Sequence, residues 1–542
     1  MVKKLLNHSS KTVFSAAVIL SVTALTSRIL GLFRDRLLAG KFGAGEELDI
    51  YFAAFRLPDL IYSILVMGAI SSAFIPVFAQ YWQKDKKEAW YLTSGVFNLL
   101  SLILIFLAII FVFFAPWLIS FIAPGFSGEK REMTIVLTRI MFLSPIFLGM
   151  SSILSGVLQY FNRFFVSSLA PILYNLGIIF GIIFFVPKMG LLGLAWGVVL
   201  GAFLHFLIQL PSAIYSGFHW QRISTFYHEG VRKIIKLMIP RTVGLAGTQI
   251  NFWVITAIAS TLAAGSIAVF NLSNNLQYVP IGIIGISFAT ATFPKLAKSF
   301  AEKDKENFSR GFFSTFSQIL FWVLPITVIF FLLRAQIVRI VLGTGQFGWA
   351  DTRLTAAALG IFSFSVFAQS LIPLISRAFY SFHDTKTPVF ASLLGVVLNV
   401  VFSFFFVWVL RQSNLFSDFI SNSLKLTGIN DFSVLGLPIA FSLSGIISFF
   451  ILIKLFSRKI DFWQHKNILD FLVKIILSCV VMGVMIYTTL HVSSLFLNTR
   501  TFWGIFIQAG ISALVGIVVY FLSALVLKSE EAMVLVKKLW KK

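Results

Sequence analysis

One cysteine, Cys479, stands in the 542-residue chain, so no internal disulfide framework forms and no thiolate cluster exists to hold a metal. Charge is scarce as well. Asp, Glu, Lys and Arg make up 12% of the residues, about half the share of an ordinary soluble domain. Acidic residues are the scarcest, 21 against 44 Lys plus Arg. No GxxxxGK[ST] stretch occurs, which leaves no P-loop to couple ATP hydrolysis. The seven histidines are scattered, without HExxH or the Cys/His spacing of a catalytic zinc site. The longest connections between apolar runs, 115–132, 217–231, 334–352 and 411–432, are too short for a domain of about 50 residues or more. Together these absences argue against an enzyme and against a cofactor.

What the chain does have is apolar length. Hydrophobic residues make up 58% of it, 62 of them phenylalanines, and the mean hydropathy is +0.91. Apolar segments long enough to span a bilayer fall near 12–38, 47–81, 89–114, 133–160, 164–186, 190–215, 232–262, 266–293, 308–333, 353–378, 387–410, 433–454, 467–489 and 501–527. The expectation is an all-α polytopic membrane protein with about fourteen transmembrane helices, because a backbone in lipid must satisfy its own hydrogen bonds. No small-residue cleavage site follows the first apolar run, so it reads as a retained first span.

The net charge of +23 resembles a nucleic-acid footprint only until its distribution is followed. Basic residues cluster in alternate connections, as at Lys84, Lys86 and Lys87, at Arg232, Lys233 and Lys236, and at Lys454, Arg458 and Lys459. This is the positive-inside pattern; with an even number of spans it puts both termini in the cytoplasm, and no nucleic acid is needed to explain it. The tail KSEEAMVLVKKLWKK, 528–542, alternates lysines and apolar residues at helical spacing, as a basic amphipathic helix at an anionic membrane surface would. His205, in mid-span, reads as a packed histidine.

The charges that topology does not explain lie in SRILGLFRDRLLAGKFGAGEELDIYFAAFRLPD, residues 27–59. Arg28, Arg34, Asp35, Arg36, Asp49, Arg56 and Asp59 sit inside or beside two spans. A charge at mid-bilayer costs about 2.5–3.5 kcal/mol on insertion scales, so such residues face a protein-walled cavity rather than lipid. An excess of arginine there points to an anionic ligand. Residues seven apart on a helix differ by about 20° around its axis, which puts Arg28 with Asp35 and Asp49 with Arg56 as neutralising pairs. Arg34 is left as the least compensated charge. Pro58 removes a helical hydrogen bond just after Arg56.

The second half lacks such charges. No Asp or Glu falls in the core of spans seven to twelve, where amides and hydroxyls such as Gln249, Asn275, Gln277, Asn399 and Ser403 stand instead. Asn399 and Ser403, one turn apart, are the weak candidates for oxygen ligands to a monovalent ion; helix-packing hydrogen bonds are the competing use.

The 27–59 hairpin with GAISSAFIPVFAQY at 68–81 resembles the N-terminal hallmark of the MurJ (MviN) family of lipid II flippases, in the multidrug/oligosaccharidyl-lipid/polysaccharide exporter superfamily. GTGQFGWADTRLTAAALGIFSFSVFAQSLIPLISRAFYSFHDTKTP at 343–388 is similar to the family's tenth-span signature, and NLSNNLQYVPIGIIGISFATATFPKLAKSF at 271–300 to its eighth span. The resemblance implies two six-helix lobes around a central cavity plus two C-terminal helices that form a lipid groove. On this chain those become 1–215, a linker at 216–231, 232–456, the groove helices at 457–527 and the tail at 528–542.

It also implies a function: moving lipid II, a polyprenyl-pyrophosphate disaccharide-pentapeptide, across the bacterial cytoplasmic membrane by alternating access. The headgroup would be held by Arg28, Arg34 and Arg56, with Ser27, Asp35, Asp49 and Asn275 around them, and with Gly31, Pro58, Arg377 and Asp384 serving gating and packing. Asn275 stands where relatives carry a cavity arginine, and Tyr62, Ser63 and Met67 stand where others carry further charged residues, so binding concentrates on the hairpin. Partners implied are lipid II, membrane lipids and the cell-wall synthesis or division proteins; the energy source is the membrane potential or a monovalent ion. A flippase for another polyprenyl-linked oligosaccharide, and a non-transporting scaffold of wall synthesis, are the competing readings.

Overall fold

The computed structural model describes residues 13–67, 70–221, 228–460 and 468–540, the side chains of 13–18, 65–67, 70–72, 239–246, 248, 535 and 538–540 excepted. The side chain of Met67 and the tail's last two lysines therefore lie outside the described residues. Apolar runs that must hydrogen-bond internally become helices here, with no strand among the described residues. Ten helices are long and apolar enough to cross a membrane, and a pair bent by 45° raises the number to eleven. The three other expected spans, near 12–38, 47–81 and 232–262, also fall on helices, consistent with fourteen.

Two compact units divide the chain, 1–268 and 269–542. The first holds α1 (Val13–Phe42), α2 (Glu46–Ile61), α3 (Ile70–Lys84), α4 (Lys86–Ile122), α5 (Gly128–Met141), α6 (Leu143–Tyr160), α7 (Phe164–Phe180), α8 (Val186–Met189), α9 (Leu191–Leu207), α10 (Leu210–Tyr215) and α11 (Glu229–Ser260). The helix α11 packs on α3 and α4, and Gln249 on it donates to the Ser63 hydroxyl at 2.8 Å. An aromatic core of Phe74, Phe78, Trp82, Trp90 and Tyr160 ties α3, α4 and α6 together. The far face of α4 is apolar and open: Phe106, Ile109 and Phe113 are 62%, 64% and 74% exposed, as a lipid-facing surface requires. His205 on α9 meets the Ser151 hydroxyl at 2.7 Å, and Gln209 in turn donates to Ser151 at 2.5 Å, a satisfied packing cluster.

The second unit begins within α12 (Ser266–Pro280). It continues through α13 (Ser287–Ala301), α14 (Lys305–Leu332), α15 (Arg334–Val341), the bent pair α16 (Trp349–Ser363) and α17 (Val366–Ser381), α18 (Lys386–Leu410), α19 (Leu415–Ser423) and α20 (Gly436–Ser457). The last helices are α21 (Ile468–Phe496), α22 (Phe502–Val526) and the tail helix α23 (Glu530–Trp540). Its core packs Phe312 and Phe379 against Phe456, and the buried Tyr520 hydroxyl of α22 donates to the Phe321 carbonyl at 2.7 Å.

The two units repeat one plan in their local detail. A π-helical segment, Tyr62–Met67, follows Pro58 in the first, and another, Ile281–Ile286, follows Pro280 in the second. The sequence KDKKE at 84–88 recurs as KDKEN at 303–307, and in each the aspartate caps the next helix: Asp85 accepts from the Lys87 amide, Asp304 from the Asn307 amide. Both π-segments lie just beyond a proline, whereas a third, Gly181–Phe185, does not.

Candidate functional site

The hairpin of α1 and α2 turns at residues 43–45. At 1.5 Å per residue, Arg34 lies about 12 Å and Arg56 about 15 Å from that turn, near the middle of a roughly 30 Å apolar core. Arg28 lies about 21 Å from it. Both carboxylates are buried, Asp35 at 3% and Asp49 at 2% exposure.

The side chains of the hairpin make contacts beyond the pairs expected from seven-residue spacing. Arg34, its side chain 21% exposed, holds Asp35 with Nη2 at 2.8 Å and Nε at 3.1 Å. It is thus compensated, against the expectation, by its chain neighbour Asp35. The remaining Arg34 donor, Nη1, reaches Asn175 Oδ1 on α7 at 3.2 Å, and Asn175 Nδ2 lies 3.3 Å from both the hydroxyl and the carbonyl of Ser27. Gly31 faces the same amide: a Cβ there would sit 3.9 Å from Asn175 Oδ1. Ser27, Gly31, Arg34 and Asp35 are thereby gathered around one side chain from a distant helix.

Arg56 turns away from Asp49. Its Nε donates to the Thr256 hydroxyl of α11 at 2.8 Å, and its guanidinium lies 5.3 Å from the centre of the Phe252 ring. Those groups orient the guanidinium, and the carboxylate of Asp59, three residues on, acts on its charge. Pro58 follows, buried, and the carbonyl of Ala54 that its missing N–H leaves behind is met at 3.3 Å by the Thr138 hydroxyl of α5.

Asp49 does different work. Its Oδ2 accepts from the Gly265 amide at 2.7 Å and its Oδ1 from the Ala268 amide at 2.9 Å, so the carboxylate caps the start of α12. Lys130 of α5 stands 3.7 Å from both Asp49 and Glu46. Backbone approaches here demand glycine. Gly265 has φ +90°, and a Cβ on it would run into the Ala44 carbonyl; one on Gly125 would run into the carbonyl of Ser260. The turns at 43–45, 123–127 and 261–265 therefore lock together at the end of the hairpin.

The other expected residues lie in the second unit. Asn275, half-buried on α12, is near Gln277, which donates to Asn274 at 3.0 Å. Arg377 joins α17 to α13 through the Thr290 hydroxyl at 2.9 Å. Asp384 accepts from the Thr387 amide and hydroxyl at 3.0 and 2.8 Å and from Lys459 at 2.6 Å, which pins the turn after α17 to the end of α20. Burial pushes this carboxyl up, but the Lys459 and Thr387 donors outweigh it and hold it at about 2. Asn399 and Ser403 are buried side by side on α18, and Ser403 Oγ has no hydrogen-bond partner among the described residues. Among those residues no group of three or more His, Cys, Asp or Glu is placed to hold a metal.

Sequence reasoning missed Asn175, Thr256, Lys130 and Gly265. Asn175 left a signal, as the only side-chain amide in the fifth span. The others did not, because nothing local shows which helix a hydroxyl or lysine will face.

Comparison with known proteins adds to this geometry. The family model described as lipid II flippase MurJ matches residues 38–507. A probable lipid II flippase MurJ of Buchnera aphidicola subsp. Acyrthosiphon pisum is 30% identical over 89% of this chain and 91% of its own length. The lipid II flippase MurJ of Burkholderia cenocepacia is 27% identical over 74% of this chain and 80% of its own. A solved structure titled lipid II flippase MurJ, inward closed conformation, superposes with a TM-score of 0.76 at 28% identity and covers 96% of this chain and all of that one.

Proposed function

This chain belongs to the MurJ family of lipid II flippases, and we propose that it carries lipid II from the inner to the outer leaflet of a bacterial cytoplasmic membrane. The observation that carries the reading is Arg56. A guanidinium at mid-membrane depth, aimed by a hydroxyl and an aromatic face, is a cation prepared for a polar anion that passes through lipid. A pyrophosphate suits it, since charge-assisted and bidentate contacts to phosphate oxygens are what guanidinium geometry makes best. Arg34 serves as a second contact, its fork directed by Asp35 and Asn175, and Arg28 lies about 9 Å further along the same helix.

Transport then proceeds by alternating access. With both termini in the cytoplasm, the locked turns at 43–45, 123–127 and 261–265 form the outer closure. Opening outward requires Asp49 to release the Gly265 and Ala268 amides, and closing restores them. The membrane potential drives the reset, because moving one charge across 100 mV is worth about 2.3 kcal/mol. Asn399 and Ser403 are the residues that would face a monovalent ion on α18.

Complementation tests this. In a bacterium depleted of its own flippase, the wild-type chain supports growth, whereas Arg34→Ala and Arg56→Ala do not at equal membrane expression. Full growth with both variants favours the scaffold reading instead.

A further inference from the structure

A cavity of about 570 Å³ lies wholly within the second unit, and no residue of the candidate site lines it. Its walls are residues 310–322 of α14, the first turns of α21, the short segment after α22 and the start of the tail helix α23. We propose that it is a binding site for a zwitterionic phospholipid headgroup, a phosphodiester that carries a primary ammonium.

Three features fit that ligand. Size comes first: small-molecule sites commonly enclose roughly 300–1,000 Å³, and this one falls within that range. Depth comes second. The floor is apolar, with Phe313, Phe321 and Phe471 all buried and Trp322 half-buried beside them, whereas the rim is charged. That gradient, at the ends of membrane-spanning helices, is the one a lipid meets between headgroup and acyl chains. Charge is the third and decides the class. Arg310, Lys474 and Lys528 line the cavity as cations, and Asp470, Glu530 and Glu531 as anions. A site for an anionic headgroup would carry cations in excess. Equal numbers of both signs complement a ligand that has one of each.

The rim charges are also held in place. Lys474 pairs with Asp470 at 2.6 Å, Glu531 accepts from the buried Ser529 hydroxyl at 2.8 Å, and Arg310 pairs with Glu306 at 2.6 Å. A headgroup would bridge these fixed groups, phosphate toward Arg310 and Lys474, ammonium toward Glu530 and Glu531. The consequence is a lipid that staples the tail helix to α14 and α21.

The test offers purified full-length protein in detergent equal concentrations of dioleoyl-phosphatidylethanolamine and dioleoyl-phosphatidylglycerol, with retained lipid read by native mass spectrometry. Wild type should retain the ethanolamine lipid about fivefold over the glycerol lipid, the scale of one solvent-exposed ion pair. The double variant Glu530→Gln with Glu531→Gln should reverse the preference, and Arg310→Ala with Lys474→Ala should weaken retention of both lipids. Equal retention by wild type, a preference for the glycerol lipid, or a preference that the acidic double variant leaves unchanged overturns the proposal. If a variant is not monodisperse in gel filtration, the wild-type competition alone decides. The readout involves no transport, so its failure leaves lipid II flipping untouched, and the reverse holds too.

Discussion

Asp35 is the residue whose role changes most between sequence and structure. Spacing gives it to Arg28, but its oxygen lies 2.8 Å from Arg34. Removing one partner of a buried pair costs about 3–5 kcal/mol, because an uncompensated charge stays behind. Asp35→Asn should therefore lower the thermal stability in detergent more than Arg34→Ala with Asp35→Asn together; a double variant less stable than the single one contradicts the pairing. Angular periodicity was readable in the sequence, and it drew attention to these charges inside the two helices. What it missed was Asn175, whose contact with Arg34 spans 141 positions of chain. Such a partner follows from packing, which no local pattern states.

At the scale of elements, turns and caps carry the account. Gly265→Ala sets a Cβ against the Ala44 carbonyl and forces an alanine to φ +90°, so it should destabilise the locked turns and lower the melting temperature by several degrees. An unchanged melting temperature would mean that the turns do not lock. Asp384 offers a pH test with a definite sign. Its carboxyl is held near 2 in the folded chain, below the ordinary value of about 3.9. The stability it supplies is thus fully present above about pH 4 and is lost as pH falls through 2. Wild type should melt above Asp384→Asn at pH 7 and at pH 5, with the gap closing toward pH 2. A gap that widens on acidification contradicts the assignment. The helices themselves were legible because lipid allows little else, and Pro58 announced that one of them would be irregular. That the irregularity takes the form of π-turns at matching places in the repeat was not legible, since it depends on which neighbour, such as Thr138, satisfies the freed carbonyl.

At the scale of the whole molecule, the sparse charge is divided by task. Lysines and arginines cluster in the connections, some of them, such as Lys130 and Lys459, hold turns, and Arg34 and Arg56 lie within the helices of the hairpin. If the potential resets the cavity, collapsing it in proteoliposomes should slow repeated turnover, and an unchanged rate removes it as the energy source. Asp49→Ala should also lose transport, because it frees the amides at the start of α12; transport at the wild-type rate would show that this cap is dispensable. The most direct measurement of the central claim is the translocation of labelled lipid II by purified protein in proteoliposomes, wild type beside Arg56→Ala. Loss of one charge-assisted contact to phosphate, about 1.5–3 kcal/mol, predicts at least a tenfold slower rate for the variant. A variant that flips lipid II as fast as wild type would contradict the account.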